Sequence, residues 1–516
     1  MGYLLGIDIG TSGTRAVVVH PEGQVLGAAT AEYPMATPYP LWAEQDPEDW
    51  WRATQTAVRG AIARAGVDPA QVVGIGLSGQ MHGVVLLDAD HRVLRPAILW
   101  CDQRTQAQCD WITERVGQRR LIDLTCNPAL TGFSAPKLLW IRQHEPEIYR
   151  RARTFLLPKD YIRFRLSGTF ATEVSDASGT LLFDVAHRCW SAEMLRLLDI
   201  DPDLLPPVFE SPEVTAHVSA AGAEATGLAP GTPIVGGAGD QAAGGVGNGI
   251  VRPGLVSSTI GSSGVVFAYA ERVTLDPLGR VHTFCHAVPG AWHVMGVTQG
   301  AGLSLRWFRD NFGDQETALA RWLGLDPYEL LTREAEQSPP GAEGLFWLPY
   351  LMGERTPHLD ATARAVLFGL TARHRRSDVL RAILEGVAYS LRDSLEILRE
   401  MGVPVEEIRA SGGGGRSALW RQIQADVFGY PLTTINAQEG PAFGVALLAG
   451  VGVGLYPDVP SACAATIRVT STTHPIPENV AVYARGYQVY RALYPALKAQ
   501  FAAVADLVVH LPRHPE

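Results

Sequence analysis

The sequence predicts an α/β fold with two related domains. Its 516 residues exceed what one ordinary hydrophobic core organises, so two large domains are the default expectation. Apolar runs of strand length repeatedly end in Gly-rich or polar loops that precede helical segments, as in α/β sheets. A short motif also recurs half a chain length apart. Residues 9–13 read IGTSG and residues 260–264 read IGSSG, an offset of 251 residues. We therefore place the two domains at residues 1–248 and 249–516.

Composition and charge exclude several classes of protein. Hydrophobic residues make up 47% of the chain and charged residues 19%, which is typical of globular proteins. A net charge of −10 argues against nucleic acid as the main partner. No apolar run reaches the length of a membrane span, and Asp8 interrupts an N-terminal stretch that lacks the basic start of a secretory signal. The six cysteines show no CxxC spacing, so neither a zinc site nor a disulfide framework is predicted. We expect a cytoplasmic protein.

The first copy of the repeated motif predicts a hairpin with a small, polar turn. Backbone N–H groups and the hydroxyls of Thr11 and Ser12 would form an anion-binding nest, and Asp8 at the strand end could hold a metal through water. Taken alone, an ordinary tight hairpin explains this turn better. The second copy, with Ser262 and Ser263, favours phosphate binding instead. Two such hairpins that face each other across a cleft could bind one polyphosphate from both sides. No GxxxxGK[ST] loop is present.

A Gly-rich stretch near the middle of the chain carries the main candidate for proton chemistry. Residues 236–245 read GGAGDQAAGG and follow a short strand predicted at residues 233–235. Only Asp240 and Gln241 in this stretch can take part in proton transfer, and a carboxylate facing a hydroxyl can act as a general base. The alternative is that Asp240 caps a helix beginning at Gln241, which is a common role for Asp. Alone, this stretch favours the cap.

Two elements between these motifs are clear in the first half. Asp46 suits the N-cap and Pro47 the first position of a helix that runs to about Gly66. A strand predicted at residues 72–77 ends in residues 78–83 (SGQMHG), which lie where α/β sheets bind ligands. In this loop His82 could hydrogen-bond a ligand hydroxyl and Met81 could pack against its carbon face. A structural turn with a solvated His explains the loop equally well.

The second half carries a long helix and two more Gly-rich loops. Ser377 is the predicted N-cap of an amphipathic helix that stops at Gly402. The glycines of residues 411–417 (SGGGGRS) precede another helix and leave room for a flat or anionic group. Four tyrosines spaced by 4, 3 and 4 from residue 483 indicate a buried helix stripe, and residues 505–516 are expected to form a loose tail.

Two longer patterns resemble a known family. Residues 132–144, with Ser134, Lys137 and Trp140, and residues 365–385 are similar to the two signatures of the FGGY carbohydrate kinases, members of the actin-like ATPase superfamily. The resemblance covers essentially the whole chain. Within the family, four further motifs resemble the xylulokinases, namely residues 41–47, 78–83, 156–161 and 348–357.

The resemblance implies two actin-like (ribonuclease H-like) ATPase domains with a nucleotide and sugar cleft between them. It implies phosphorylation of D-xylulose by ATP with Mg²⁺, and it leaves a homodimer open as the assembly. Asp240 would be the catalytic base that takes a proton from the terminal hydroxyl of the sugar. The remaining implied roles are sugar binding by Met81, His82, Asp240 and Gln241, phosphate and nucleotide binding by Thr11, Ser12, Ser262, Ser263, Gly302, Gly413 and Ser417, and metal binding by Asp8.

Three departures from the pattern keep the substrate open. Gln241 stands where xylulokinases usually carry Asn and glycerol kinases carry Gln, Cys101 stands where Asn is usual, and Ser417 replaces the Asn of some relatives. D-ribulose and glycerol are therefore alternative substrates. A non-catalytic actin-like ATP-binding protein is the alternative from another class. The presence of Asp240 and of the Met81–His82 loop favours the kinase, because a filament or chaperone module needs no sugar-side base.

Overall fold

The chain forms two compact units in the computed structural model, which describes residues 2–437 and 439–510. Unit 1 comprises Met1–Arg252, Tyr269–His293 and Ala437–Arg468, and unit 2 comprises Pro253–Ala268, Val294–Asn436 and Val469–Glu516. The units are therefore discontinuous in sequence, unlike the predicted division at residues 248 and 249. Two segments of the second half belong to unit 1 by their packing.

A seven-stranded mixed sheet forms the centre of unit 1. The first hairpin is antiparallel, and its first strand also pairs in parallel with Val72–Gly79. This parallel strand is longer than the predicted strand at residues 72–77. In spatial order the strands are Val214–His217, Pro233–Val235, Val72–Gly79, Tyr3–Ile9, Gly13–Val19 and Val25–Glu32, with Ala238–Gly239 paired to Val72–Gly79.

Helices cover both faces of this sheet, because its strands are apolar on both sides. Leu5 belongs to a core cluster with Trp50 of the helix Pro47–Ala65, whereas Leu4 packs in a second cluster with Leu447. The helix Pro47–Ala65 begins and ends as predicted, capped by Asp46 and by Gly66. The helices of unit 1 are Pro47–Ala65, Gln106–Val116, Gln118–Thr125, Ser134–His144, Pro146–Arg151, Pro158–Ser167, Val174–Ala177, Ala192–Leu198, Ala220–Thr226, Asp240–Gly247, Gly440–Gly452 and Val459–Thr466.

Glycines allow the helix Gly440–Gly452 to lie directly on the sheet of unit 1. A Cβ atom on Gly6 would lie 1.8 Å from the carbonyl oxygen of Ala442, and one on Gly76 would lie 1.9 Å from that of Val445. This helix is apolar on all sides, as expected for an element buried on every face. Its packing explains why a segment so late in the sequence belongs to unit 1.

Unit 2 is built around a second mixed sheet. This sheet has seven strands, in spatial order His282–Cys285, Trp292–Thr298, Gly264–Ala270, Gly254–Ile260, Val405–Gly412, Leu432–Ile435 and Val469–Thr473. Its helices are Ala301–Phe312, Asp314–Leu323, Pro327–Ala335, Arg376–Glu400, Ala418–Phe428 and Pro477–His510. A small antiparallel pair joins Phe346–Leu348 to Val366–Phe368. Short two-stranded pairs in unit 1 are Glu44–Gln45 with Ala97–Ile98, Val85–Leu87 with Thr154–Leu156, Thr172–Glu173 with Val208–Phe209, and Phe183–Asp184 with Cys189–Trp190.

The repeat predicted from the two motifs is present in the fold. In unit 2, Gly254–Ile260 forms an antiparallel hairpin with Gly264–Ala270 and pairs in parallel with Val405–Gly412. This arrangement repeats that of the first hairpin with Val72–Gly79, including a register irregularity after the first residue pair. Both units therefore place a Gly-rich turn beside the carboxyl end of a parallel strand.

Two predicted boundaries are wrong. The long helix begins at Arg376 with Arg375 at the cap, because the side chain of Asp378 accepts a hydrogen bond from Arg375 N, so Ser377 is not the N-cap. The expected loose tail is helical up to His510, while residues 511–516 lie outside the described part.

The tyrosine stripe is confirmed, since all four side chains are buried. Among the described residues, no helix is both long and apolar enough to cross a membrane.

Candidate active site

Asp240 is the first residue of a helix and not its cap. The helix spans Asp240–Gly247, and Gly239 occupies the cap position, so the alternative in which Asp240 caps a helix beginning at Gln241 does not hold. The turn before it needs glycine twice. Gly237 has a positive φ of 71°, and a Cβ atom on Gly239 would lie 2.9 Å from Cγ of Met81. The turn therefore brings Asp240 next to the loop that carries Met81 and His82.

The environment of Asp240 suits a general base. The residue is half-buried. Burial, and to a smaller extent the charge of Asp8, raise the pKa of Asp240 to about 7, against the opposing effect of hydrogen bonds from Gln241. A base with a pKa near the working pH transfers protons most effectively. The helix N-terminus alone would lower this pKa, so burial and the second carboxylate dominate.

Asp8 lies at the end of the first strand and fits a Mg²⁺ ligand. Burial raises its pKa to about 6, while Ser78 and Arg15 oppose the shift. Within the described part of the chain, Oδ1 of Asp8 is buried and has no hydrogen-bond partner. No cluster of three or more potential ligands occurs among the described residues. Mg²⁺ needs none, because it typically binds one or two carboxylates together with substrate phosphates and water.

The two repeated hairpins differ at this position. In unit 1, Asp8 is the register partner of Ser78 on the parallel strand. At the matching position in unit 2, Thr259 pairs with Ser411, and their hydroxyl oxygens lie 2.6 Å apart. Only the first hairpin therefore presents a carboxylate here, which places the candidate metal ligand in unit 1.

Met81 and His82 lie in the loop that follows Val72–Gly79, as predicted. Met81 is buried, and His82 is half-buried with its ring 4.9 Å from that of Phe133. Nδ1 of His82 lies 2.6 Å from the carbonyl oxygen of Gly179. This contact and the packing on Phe133 fix the orientation of the ring. The alternative of a solvated His does not hold, because the ring is packed and hydrogen-bonded.

A buried lysine supports the backbone of this loop. His82 has a positive φ of 71°, and its carbonyl oxygen accepts hydrogen bonds from Lys137 Nζ at 3.2 Å and from Ser134 Oγ at 3.1 Å. Lys137 is fully buried. Burial lowers the pKa of Lys137 to about 7, against the opposing charge of Asp102. Lys137 and Ser134 belong to the first family signature, so that signature includes groups that shape the candidate sugar site.

The first turn is held from behind by side chains that the sequence did not single out. Trp100 Nε1 donates to the hydroxyl of Thr11 at 3.0 Å, and Gln45 Nε2 donates to the carbonyl of Thr11 at 2.7 Å. The hydroxyl of Tyr33 donates to the carbonyl of Gly10. Ser12 is exposed at the tip. The turn is therefore rigid at its base, with an accessible hydroxyl at its tip.

The structure brings Gly302 to the second turn, which carries Ser262 and Ser263. Ser262 is exposed, Ser263 is half-buried, and Arg306 donates to the hydroxyl of Ser262 at 3.1 Å. Gly302 N donates to the carbonyl of Gly261 at 2.9 Å, and a Cβ atom on Gly302 would lie 2.2 Å from that oxygen. Gly302 is thus required for the close approach of a helix to this turn.

Gly413 and Ser417 follow the parallel strand of unit 2. Gly413 is exposed in a short 3₁₀ turn, and Ser417 caps the helix Ala418–Phe428 by accepting a hydrogen bond from Trp420 N. The preceding Gly412 has a positive φ of 72°, and a Cβ atom there would lie 2.5 Å from the carbonyl of Ile260. Ser417 therefore has a structural role, and its contact with a nucleotide stays a prediction.

The polar residues after Trp100 form a structural cluster. Asp102 is fully buried, accepts a hydrogen bond from Ala43 N, and pairs with Arg104 at 2.7 Å. Arg104 also pairs with Glu44 and stacks on Trp42, 3.6 Å from the ring centre.

The sequence analysis did not identify the buried polar groups of residues 172–176 (TEVSD). The two acids and two hydroxyls among these five residues were the signal that could have found them.

Comparisons with known proteins agree with this architecture. The model for the N-terminal domain of the FGGY family of carbohydrate kinases matches residues 3–247, and the C-terminal domain model matches residues 256–453. The xylulose kinase of Escherichia coli (strain K12) is 40% identical over 96% of this chain and 99% of its own. That of Bacillus subtilis (strain 168) is 39% identical over 96% and 97%. The crystal structure of a kinase from Brucella ovis, described as a xyloylose kinase, matches with a TM-score of 0.88 at 37% identity, over 96% of this chain and 100% of its own. With both domain models matched in order on a fold that carries the repeated hairpin, the chain belongs to the FGGY family of carbohydrate kinases.

Proposed function

We propose that this protein transfers the γ-phosphoryl group of ATP to the terminal hydroxyl of D-xylulose, giving D-xylulose 5-phosphate and ADP. The main support is the position of Asp240, a carboxylate with a pKa near 7 beside the loop of Met81 and His82. The similar proteins named as xylulose kinases support the choice of sugar.

Each part of the reaction has a candidate group in the chain. The sugar hydroxyl oxygen forms a new bond to the γ-phosphorus, the bond from that phosphorus to the bridging oxygen breaks, and Asp240 takes the hydroxyl proton. Met81, His82 and Gln241 orient the sugar. Because such transition states depend on positioning and charge neutralisation, the accuracy of this orientation sets the rate.

The phosphates require donors and a cation. The turn hydroxyls of Thr11, Ser12, Ser262 and Ser263 are the proposed donors, and Asp8 is the residue that would hold Mg²⁺. When bound, Mg²⁺ supplies neutralisation of the phosphate charge. Asp8 suits the role of Mg²⁺ ligand because its Oδ1 atom is buried and has no hydrogen-bond partner among the described residues.

The adenosine side of the nucleotide is assigned to Gly-rich backbone of unit 2. Gly302, Gly413 and Ser417 are the proposed lining residues. Gly413 is exposed, and a residue without a side chain admits a flat ring close to the backbone.

Sugar-dependent ADP formation tests the proposal directly. D-xylulose, D-ribulose and glycerol are compared by kcat/KM in a coupled assay, with a reaction lacking sugar as control. We expect D-xylulose to give the highest value. A preference of more than roughly tenfold for D-ribulose or glycerol, about 1.4 kcal/mol in barrier, contradicts the choice of sugar. ADP formation that does not respond to any sugar would instead support the ATP-binding module.

A further inference from the structure

The turn that carries Asp240 is held by a buried hydroxyl from another part of unit 1. Gly239 N, the amide immediately before Asp240, donates to Oγ of Ser175 at 3.1 Å. Ser175 is fully buried, and it lies on the short helix Val174–Ala177, 64 residues earlier in the chain. The Ser175 hydroxyl therefore contacts the backbone directly before the helix Asp240–Gly247 begins.

Glu173 fixes the direction of the Ser175 hydroxyl. Ser175 Oγ donates to Oε1 of Glu173 at 3.0 Å, so an oxygen lone pair is directed at Gly239 N. The carboxylate of Glu173 is itself held by the backbone N–H groups of Ser175 and Asp176 and by the hydroxyl of Ser211. With its own proton committed to Glu173, Ser175 can act toward Gly239 only as an acceptor.

A buried lysine completes the support. Lys159 Nζ lies 2.8 Å from Asp160, 3.0 Å from Asp176 and 3.4 Å from Glu173, and none of these side chains is exposed to solvent. Such a network has few alternative arrangements, because moving one member leaves another charge buried without its partner.

Arg163 fixes the beginning of the same turn. It donates to the carbonyl oxygens of Val235 at 2.7 Å and Gly236 at 2.6 Å. The turn from residue 235 to residue 239 is thus fastened at both ends by buried side chains. Because its glycines have no side chains of their own to restrict them, the external contacts determine where Asp240 points.

We propose that Ser175, oriented by Glu173, is a positioning residue that sets the direction of the Asp240 side chain for phosphoryl transfer. The inference rests on the proposed role of Asp240 as the base. Small errors in the placement of a base reduce the rate of the chemical step more than they weaken sugar binding, which is shared with Met81 and His82, and the proposed ATP contacts lie on other residues.

The chain offers a closely matched control for a test. Ser211 is as fully buried as Ser175 and donates to the same Glu173 carboxylate at 3.1 Å, but its hydroxyl makes no hydrogen bond to Gly239 N. Ser175→Ala should lower kcat by roughly tenfold to a hundredfold while KM for D-xylulose and ATP stays within about twofold. Ser211→Ala should leave kcat within about twofold, because Glu173 keeps its two backbone hydrogen bonds and Ser175 keeps its contact with Gly239 N. Equal effects of the two substitutions, or a loss at Ser175 that appears in both KM values instead of kcat, would overturn the inference.

Two further variants keep the test decisive. Should Ser175→Ala not fold, Ser175→Thr and Ser175→Val form a pair of nearly equal shape that differs in the hydroxyl. Thr should then retain at least about ten times the kcat of Val, and equal values would overturn the inference. Asp240→Asn distinguishes a failure of the proposed base from a failure of the proposed positioning role of Ser175. If it keeps normal turnover, the proposed base is wrong. If it is inactive while the Ser175 and Ser211 variants behave alike, only the positioning role fails.

Discussion

Nδ1 of His82 lies 2.6 Å from the carbonyl oxygen of Gly179, in the short 3₁₀ helix Ser178–Thr180, 97 residues later in the chain. Because a carbonyl oxygen only accepts, Nδ1 carries the proton of the neutral ring and Nε2 is an acceptor. The carbonyl of Gly179 therefore selects the tautomer of His82. In this tautomer Nε2 has the acceptor chemistry that a sugar hydroxyl requires.

The tautomer leads to a prediction for sugar binding. His82→Ala should raise KM for the sugar by roughly tenfold, since losing one partner of a buried hydrogen bond costs about 1–3 kcal/mol. KM for ATP should change little. The control is His187→Ala, whose side chain is 79% exposed. Equal increases in both KM values would show that His82 is only structural.

Removing the proposed base should affect the chemical step. Asp240→Ala should reduce kcat by about 10² to 10⁴, the usual contribution of a general base, while ATP binding measured by calorimetry is retained. Near-normal turnover would mean that the proton leaves by another route. Loss of ATP binding together with turnover would point to a damaged fold instead.

Asp8→Asn tests the metal site. The amide keeps the size of the side chain but loses its charge, so the Mg²⁺ concentration needed for half-maximal ADP formation should rise by about tenfold or more. KM for D-xylulose at saturating Mg²⁺ should stay close to that of the wild type. An unchanged Mg²⁺ requirement would remove Asp8 from the metal site.

Gln241→Asn tests the departure from the usual residue. Gln carries the same amide as Asn on a stem one methylene longer, and one methylene is typically worth about 1–3 kcal/mol of discrimination. We expect kcat for D-xylulose to stay within roughly tenfold, a barrier change of about 1.4 kcal/mol. The ranking of D-xylulose, D-ribulose and glycerol by kcat/KM should change more than any absolute rate. An identical ranking in both proteins would show that Gln241 does not set specificity.

Glu354 should make the stability of unit 2 depend on pH. Burial raises its pKa to about 7, although Thr298 Oγ1 and the backbone N–H groups of Gln299 and Arg355 donate to it and oppose the shift. Between its ordinary pKa and about 7, the folded state binds more protons than the unfolded state. The contribution of Glu354 is therefore fully present at low pH and is lost as the pH rises through 7.

The substitution Glu354→Gln removes this titration while keeping the shape of the side chain. The melting temperature of the wild type relative to this variant should fall as the pH is raised from about 5 to 8. Parallel melting profiles over this range would show that Glu354 stays ionised in the folded state.

The sequence determined the elements whose signals are local. The Asp46–Pro47 helix start, the tyrosine stripe and the two Gly-rich turns follow from capping preference, helical spacing and the need for small residues, all of which act within a few positions. The match between residues 9–13 and 260–264 likewise predicted a repeated hairpin, because the same local pattern gives the same turn.

Tertiary structure decided what depends on distant contacts. The segment Ala437–Arg468 joins unit 1 because an apolar helix packs against glycines hundreds of residues earlier in the sequence. Asp240 is a helix residue instead of a cap, and its pKa is raised because burial outweighs its helix N-terminus. Ser175 contacts Gly239 N and Gly179 contacts His82, each through one hydrogen bond between residues far apart in the chain. Such contacts leave no periodic pattern in a sequence, since they depend on where distant segments meet.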